Sequence, residues 1–194
     1  MESQLYYGGD KMSLSENMNL GETILDHYEK YLGEYAGADI YSDEEREIQL
    51  LGFPETIKNC LVLATFGVSK YDECEVILPV DDLYDECAEI FANSVFYALS
   101  NNIKIGRGVL IEGADNIVEG FSEKCGKTAL YFTEAYPLPD EFAAVDSKCH
   151  IYMGFFVSKK EAEFIKVHGS EQFEDILEEK EADVIDLNRS SVIT

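Results

Sequence analysis

Apolar side chains at Ile24, Tyr28, Tyr31, Leu32 and Tyr35 recur at the helical period. Residues 21–35 are therefore predicted to form an amphipathic helix that stops near Gly37. The period then shortens to two. Ile48 and Leu50 share one face of a strand at 46–52, whereas 59–67 is apolar on both faces, the pattern of a central strand. A third strand at 73–78 is expected to turn Cys74, Val76 and Leu78 inward and Glu73 and Glu75 outward. The short link at 67–72 favours an antiparallel hairpin between these last two strands.

The clearest helix is 82–101, with Leu83, Cys87, Ile90, Phe91, Val95 and Leu99 as its core stripe and Asp81 or Asp82 as its cap. A short strand at 106–111, a polar loop containing Cys125 and an alternating strand at 128–133 follow. Pro137 and Pro139 interrupt the pattern before a strongly apolar strand at 149–157. Ser158 and Glu161 have the spacing of a capping box, opening a helix that stops at His168 and Gly169. Ser170 is placed to cap the next helix, with Phe173, Ile176 and Leu177 inward, and 182–187 reads as a last strand. Strands precede and follow a central helix without strict alternation, which predicts an α+β fold: one domain with a mixed, largely antiparallel sheet flanked by helices. That domain is expected at 21–194, behind a loosely ordered polar segment at 1–20.

Charge changes the picture more than composition does. Thirty-nine Asp and Glu against fifteen Lys and Arg give the 194 residues a formal net charge of −24. Such a surface repels nucleic acid and anionic membrane and attracts basic proteins. The 46% hydrophobic content, with 12 Tyr and 11 Phe, suffices for a folded core despite the charge. The opening MESQLYYGGDKMS lacks the regions of a secretory signal, and no stretch approaches the ~20 apolar residues of a membrane span. Cys60, Cys74, Cys87 and Cys149 lie within apolar patterns and are expected as buried thiols in a reducing cytoplasm.

Each candidate for chemistry has a structural explanation beside it. Asp81, Asp82, Asp85, Glu86 and Glu89 resemble a carboxylate metal cluster, yet the first turn of a helix favours the same residues through its dipole. Cys125 lies between Lys124 and Lys127, whose charges would lower a thiol pKa, but no base or oxyanion site accompanies it. His27, His150 and His168 are not at metal-ligand spacing, and Gly106, Arg107 and Gly108 read as a turn. The expectation is a protein with no catalytic, metal or cofactor residues. Asp43, Glu44, Glu45 and Glu47, on a loop and the outward face of an edge strand, are the first candidate for an acidic partner contact. Asp81, Asp82 and Asp85 are the second.

The last third of the chain carries a resemblance. IYMGFFVSKKEAEFIKVHG, SEQFEDILEEKEADVIDLNR and the ending SSVI resemble bacterial suppressor-of-fused-like proteins, most closely from His168 to Ile193. The close is D-x-x-R-x-S-V-I, from Asp186 to Ile193. Upstream, Gly67-x-Ser69 after LATF and Glu75-x-x-Leu78-Pro79 agree in order. The family includes small immunity proteins, or antitoxins, that neutralise secreted LXG-type toxins. The resemblance implies a non-enzymatic cytoplasmic inhibitor that binds the C-terminal domain of a toxin, expected to be a basic nuclease, with no nucleic acid or membrane partner. The peptide groove that the two-domain eukaryotic members form between their halves is not carried over. A second reading is an adaptor that binds a short regulatory peptide by strand addition at a sheet edge.

Overall fold

The computed structural model describes residues 14–54, 56–57, 60–80 and 86–194, with the backbone alone for 14–19. The sheet contains β1 (Gly37–Ser42), β2 (Glu47–Pro54), β3 (Leu61–Phe66), β4 (Cys74–Val80), β5 (Leu110–Glu112), β6 (Ala129–Glu134), β7 (Ala144–Val145) and β8 (Cys149–Val157). Its order is β1-β2-β3-β4-β8-β6-β5, with β7 paired to the start of β8. Every pairing is antiparallel except β4 with β8, where Cys74 lies opposite His150 and Ile77 opposite Met153.

Helices cover both faces. α1 (Leu14–Leu32), α5 (Lys159–His168) and α6 (Ser170–Glu179) close one core around Tyr28, Phe53, Phe142, Phe155 and Phe173. α2 (Glu86–Ser100), α3 (Ala114–Ile117) and α4 (Phe121–Cys125) close the other around Phe91, Phe121, Phe132 and Phe156. This explains the nearly continuous apolar runs of β3 and β8, since a strand covered on both faces has no wet side to show. The α+β class, the hairpin of β3 and β4 and the two central strands agree with the sequence reading. So does the capping box: the Ser158 hydroxyl accepts from the Glu161 N–H, and the Ser158 N–H donates to Glu161 at 2.7 Å.

Several expectations are corrected. α1 begins before Gly21 and ends at Leu32, where Gly33 takes φ 89° and its N–H bonds back to Glu29. β1 has no apolar alternation to announce it, being exposed along most of its length. It is the edge strand, so Glu47 opens an interior strand instead. Cys125 ends a short helix rather than sitting in a polar loop, and Cys60 is only half-buried. Ser170 does not cap α6; Gly169 forms the whole junction with α5, leaving Ser170 as the first helical residue, facing Tyr131. Residues 182–187 form turns and no strand, because the Asp183 and Asp186 carboxylates capture the N–H groups of Ile185 and Asn188. Asp81, Asp82, Leu83 and Asp85, with the proposed cap of α2, lie outside the described residues, as does most of the segment expected to be loosely ordered.

Glu75 is the sharpest correction. It points away from Cys74 and Val76 as predicted, but into the first core, on the side of Ile77 and Tyr28, and is 0% exposed. Its carboxylate accepts from Thr65 Oγ1 at 2.6 Å and from the N–H groups of Gly67, Val68 and Ser69 at 2.9, 3.3 and 3.0 Å. Gly67 opens this turn at φ 112°, a conformation that favours glycine. The Gly67-x-Ser69 and Glu75-x-x-Leu78-Pro79 motifs are thus two halves of one structural device. Burial without a cation pushes the Glu75 carboxyl above its ordinary range, against the pull of its four donors.

The closing D-x-x-R-x-S-V-I is a second device. Arg189 Nη1 reaches Glu161 at 2.6 Å, the Val192 N–H donates to the same carboxylate at 2.9 Å, and Lys127 Nζ donates to the Arg189 carbonyl at 2.6 Å. Arg189 and Glu161 are both buried in side chain. The terminal segment is thereby locked across the start of α5.

Candidate partner-binding surface

A concavity lies where the C-terminal end of β6 meets α6 and the turn that follows it. It is a cleft of about 590 Å³ walled by Phe155, Leu177, Ala182 and Val184. Glu174 stands on its floor and accepts from Arg107 Nε at 2.8 Å, Tyr131 Oη at 2.7 Å and Thr133 Oγ1 at 2.9 Å. Burial opposes ionisation of Glu174, but Arg107 and the two hydroxyls outweigh it and hold the carboxyl below the usual range. Glu174, Glu178 and Glu181 follow one another at helical spacing, so one face of α6 and its end supplies carboxylates to the cleft. Glu134, across the mouth, is 2.7 Å from His150 Nε2. Tyr136, 60% exposed, presents a ring beside them.

An apolar wall under a carboxylate rim suits a side chain with an aliphatic stem and a cationic head. Tyr136 adds a surface over which a guanidinium or ammonium group can stack. The cleft residues come from four separated segments, and no local motif announced them. The acidic spacing of Glu174, Glu178 and Glu181 was the only signal.

The predicted acidic patch lies elsewhere. Asp43 is a turn former: its carboxylate accepts from the N–H groups of Glu45 and Arg46 at 2.8 and 2.7 Å and pairs with the Arg46 guanidinium at 2.9 Å. Backbone donation from Glu45 leads the effects that lower its pKa. Glu44, Glu45 and Glu47 remain exposed at the hairpin of β1 and β2. β3, β4 and β8 separate them from the cleft strand β6, so the two acidic features are not one site. Asp81, Asp82 and Asp85 lie outside the described residues. Of their neighbours, Glu86 pairs with Lys124, and Glu89 lies within electrostatic reach of Tyr41.

Burial holds the thiols of Cys74, Cys125 and Cys149 above their ordinary range. Cys125 Sγ donates to the Phe121 carbonyl at 3.3 Å, and burial raises its pKa by more than the Lys127 N–H and charge lower it. Burial likewise pushes Cys149 up to about 12. His27 bonds to the Phe142 carbonyl at 3.0 Å and His168 stacks on Phe164. Among the described residues, no group of three or more His, Cys, Asp or Glu side chains converges for a metal. Nor is any helix among them long and apolar enough to cross a membrane.

Residues 44–190 match the family model described as Suppressor of fused protein (SUFU). The chain belongs to the suppressor of fused family. A suppressor of fused homologue from Neisseria gonorrhoeae FA 1090 has the same fold, with a TM-score of 0.74 at 17% identity over 91% of this chain and 98% of that one. The structure of the Sufu–Fu complex superposes with a TM-score of 0.60 at 11% identity, covering 88% of this chain and 91% of that one. Drosophila Suppressor of Fused gives 0.59 at 10% identity, covering 88% of this chain and half of that one. Among curated sequences, the immunity protein YqcF of Bacillus subtilis (strain 168) is 20% identical over 122 residues, 61% of this chain and 62% of that protein. The chain thus aligns with less than two thirds of that relative. Within the family frame, the two quoted motifs are structural: one builds the turn ahead of β4, the other fastens the C-terminal segment.

Proposed function

We propose that this chain is a non-enzymatic immunity protein that binds and neutralises a basic toxin domain, a nuclease being the class whose phosphate-binding surface best matches a strongly acidic inhibitor. The observation that carries this reading is the cleft under Glu134, Glu174, Glu178 and Glu181, on a chain of net charge −24. The alignment with an immunity protein supports it, and such a protein would act in the cytoplasm of the toxin's producer. Long-range attraction steers the toxin in. A lysine or arginine of the toxin then enters the cleft, its stem against Phe155, Leu177 and Val184.

The test is co-expression with the basic domain of a toxin sought among the neighbouring genes, together with association kinetics of the purified pair. The wild-type chain should restore growth, and its on-rate should fall about 10- to 1000-fold between low and high salt. Replacing Glu178 and Glu181 by lysine should slow association and weaken rescue, while Asp140→Lys, also exposed, should do so less. Growth arrest in the presence of the wild-type chain would rule the reading out.

A further inference from the structure

We infer that the outer edge of β1 is a second contact, where an extended, lysine- or arginine-bearing segment of the protein partner adds as a further strand. The inference rests on the partner-binding reading above and concerns a different face of the molecule. β1 is one of the two ends of the strand order. It is twice the length of β5 at the other end, six residues against three.

Hydrogen-bond alternation fixes which groups are free. The Asp43 N–H donates to the Arg46 carbonyl at 3.0 Å, so residues 43, 41, 39 and 37 face β2. Ala38, Ile40 and Ser42 therefore turn their N–H and C=O groups outward, and no strand pairs with them among the described residues. Ile40 is 65% exposed, although β-branched apolar residues are common in covered strands. Proteins usually blunt such an edge with lysine, proline or a bulge, and β1 carries none of these.

Charge selects the occupant. Exposed Glu34, Asp39, Glu44, Glu45 and Glu47 surround the edge, and the nearby cation Arg46 is held by Asp43. Ala38 and Ile40 share the face of Leu51, while Asp39 and Tyr41 share that of Leu50 and Ile48. An incoming strand alternating small apolar and basic residues would lay the apolar ones beside Ile40 and the basic ones beside Asp39. A second copy of this chain would set like charges against each other.

Hydrogen exchange on the full-length chain at low salt reads the edge directly, using a short synthetic peptide that alternates lysine and valine. The amides of Ala38, Ile40 and Ser42 are expected to exchange readily in the free chain and to slow about tenfold or more at saturating peptide. A glutamate–valine peptide, and a lysine–valine peptide N-methylated along its pairing edge, should leave them unchanged. Ile40→Pro removes an outward N–H without breaking a β2 bond and should weaken peptide binding about tenfold. Ile40→Lys, which keeps the backbone, should weaken it through charge. Protection already present without peptide, protection confined to other residues, or equal binding by the N-methylated peptide would overturn the inference. Failure to neutralise the toxin defeats the immunity reading alone. Neutralisation with an unresponsive edge defeats this inference alone.

Discussion

Replacing Arg189 by methionine is expected to destabilise the fold by about 3–5 kcal/mol, because it leaves the Glu161 carboxylate buried and short of its cation. Glu161 is 0% exposed, and its other donors, the Ser158 N–H at the start of α5 and the Val192 N–H of the terminal segment, tie those two pieces of chain together. Lys127, itself buried, would lose the anchored carbonyl that it meets at Arg189. Removing both charges, as Glu161→Gln with Arg189→Met, should be milder than the single change, since no charge then remains unpaired. Urea denaturation of the three proteins gives the comparison. A single variant within about 0.5 kcal/mol of wild type would show that the pair does not hold the segment.

The same pair sets a pH dependence. Burial disfavours the charged form of Glu161, but the Arg189 hydrogen bonds and charge prevail, so its folded-state pKa lies below the unfolded value. A lowered carboxyl pKa gives stability that is present above the unfolded value of about 4.3 and is lost as pH falls through the folded one. Glu174 has the same sign. Glu75 has the opposite sign: its raised pKa subtracts stability as pH climbs from the unfolded toward the folded value. Acid titration of Glu75→Gln should therefore retain the low-pH loss, and that of the Glu161→Gln, Arg189→Met pair should show less of it.

The second large effect is expected at Glu75 itself. Glu75→Ala strips the acceptor from the N–H groups of Gly67, Val68 and Ser69 and from the Thr65 hydroxyl, all in or beside the core. Each unsatisfied buried donor costs about 1–3 kcal/mol, and partial access to water at Ser69 limits the sum to about 3–5 kcal/mol. Glu75→Gln keeps the shape but offers one acceptor oxygen, so an intermediate loss should follow. Thermal or urea unfolding separates the two. Equal stability of Glu75→Ala and wild type would mean that water replaces the carboxylate.

Periodicity made the central strands legible, since β3 and β8 are apolar enough to demand cover on both faces. It failed at Glu75 because a charged residue in an alternating strand normally marks a wet face, and only the distant turn at Gly67 supplies the donors that let it go inside. It failed at β1 because an exposed edge carries no apolar signal. The cleft was hidden for a different reason: Arg107, Tyr136, Phe155 and Glu174 converge only through sheet order, which no local pattern encodes. The capping box at Ser158 was readable because both of its partners lie within one turn.

The parallel junction of β4 with β8 has a consequence for how the chain is made. β1 to β4 can zip as successive neighbours while they leave the ribosome, yet the far rim of β4 must wait for a strand encoded much later. Until β8 arrives, an apolar template of Val76, Ile77 and Leu78 stands open. Such non-local closure makes assembly slow relative to a chain of local hairpins. It also marks the half-synthesised intermediate as the species most prone to clump, where chaperone supply would govern yield.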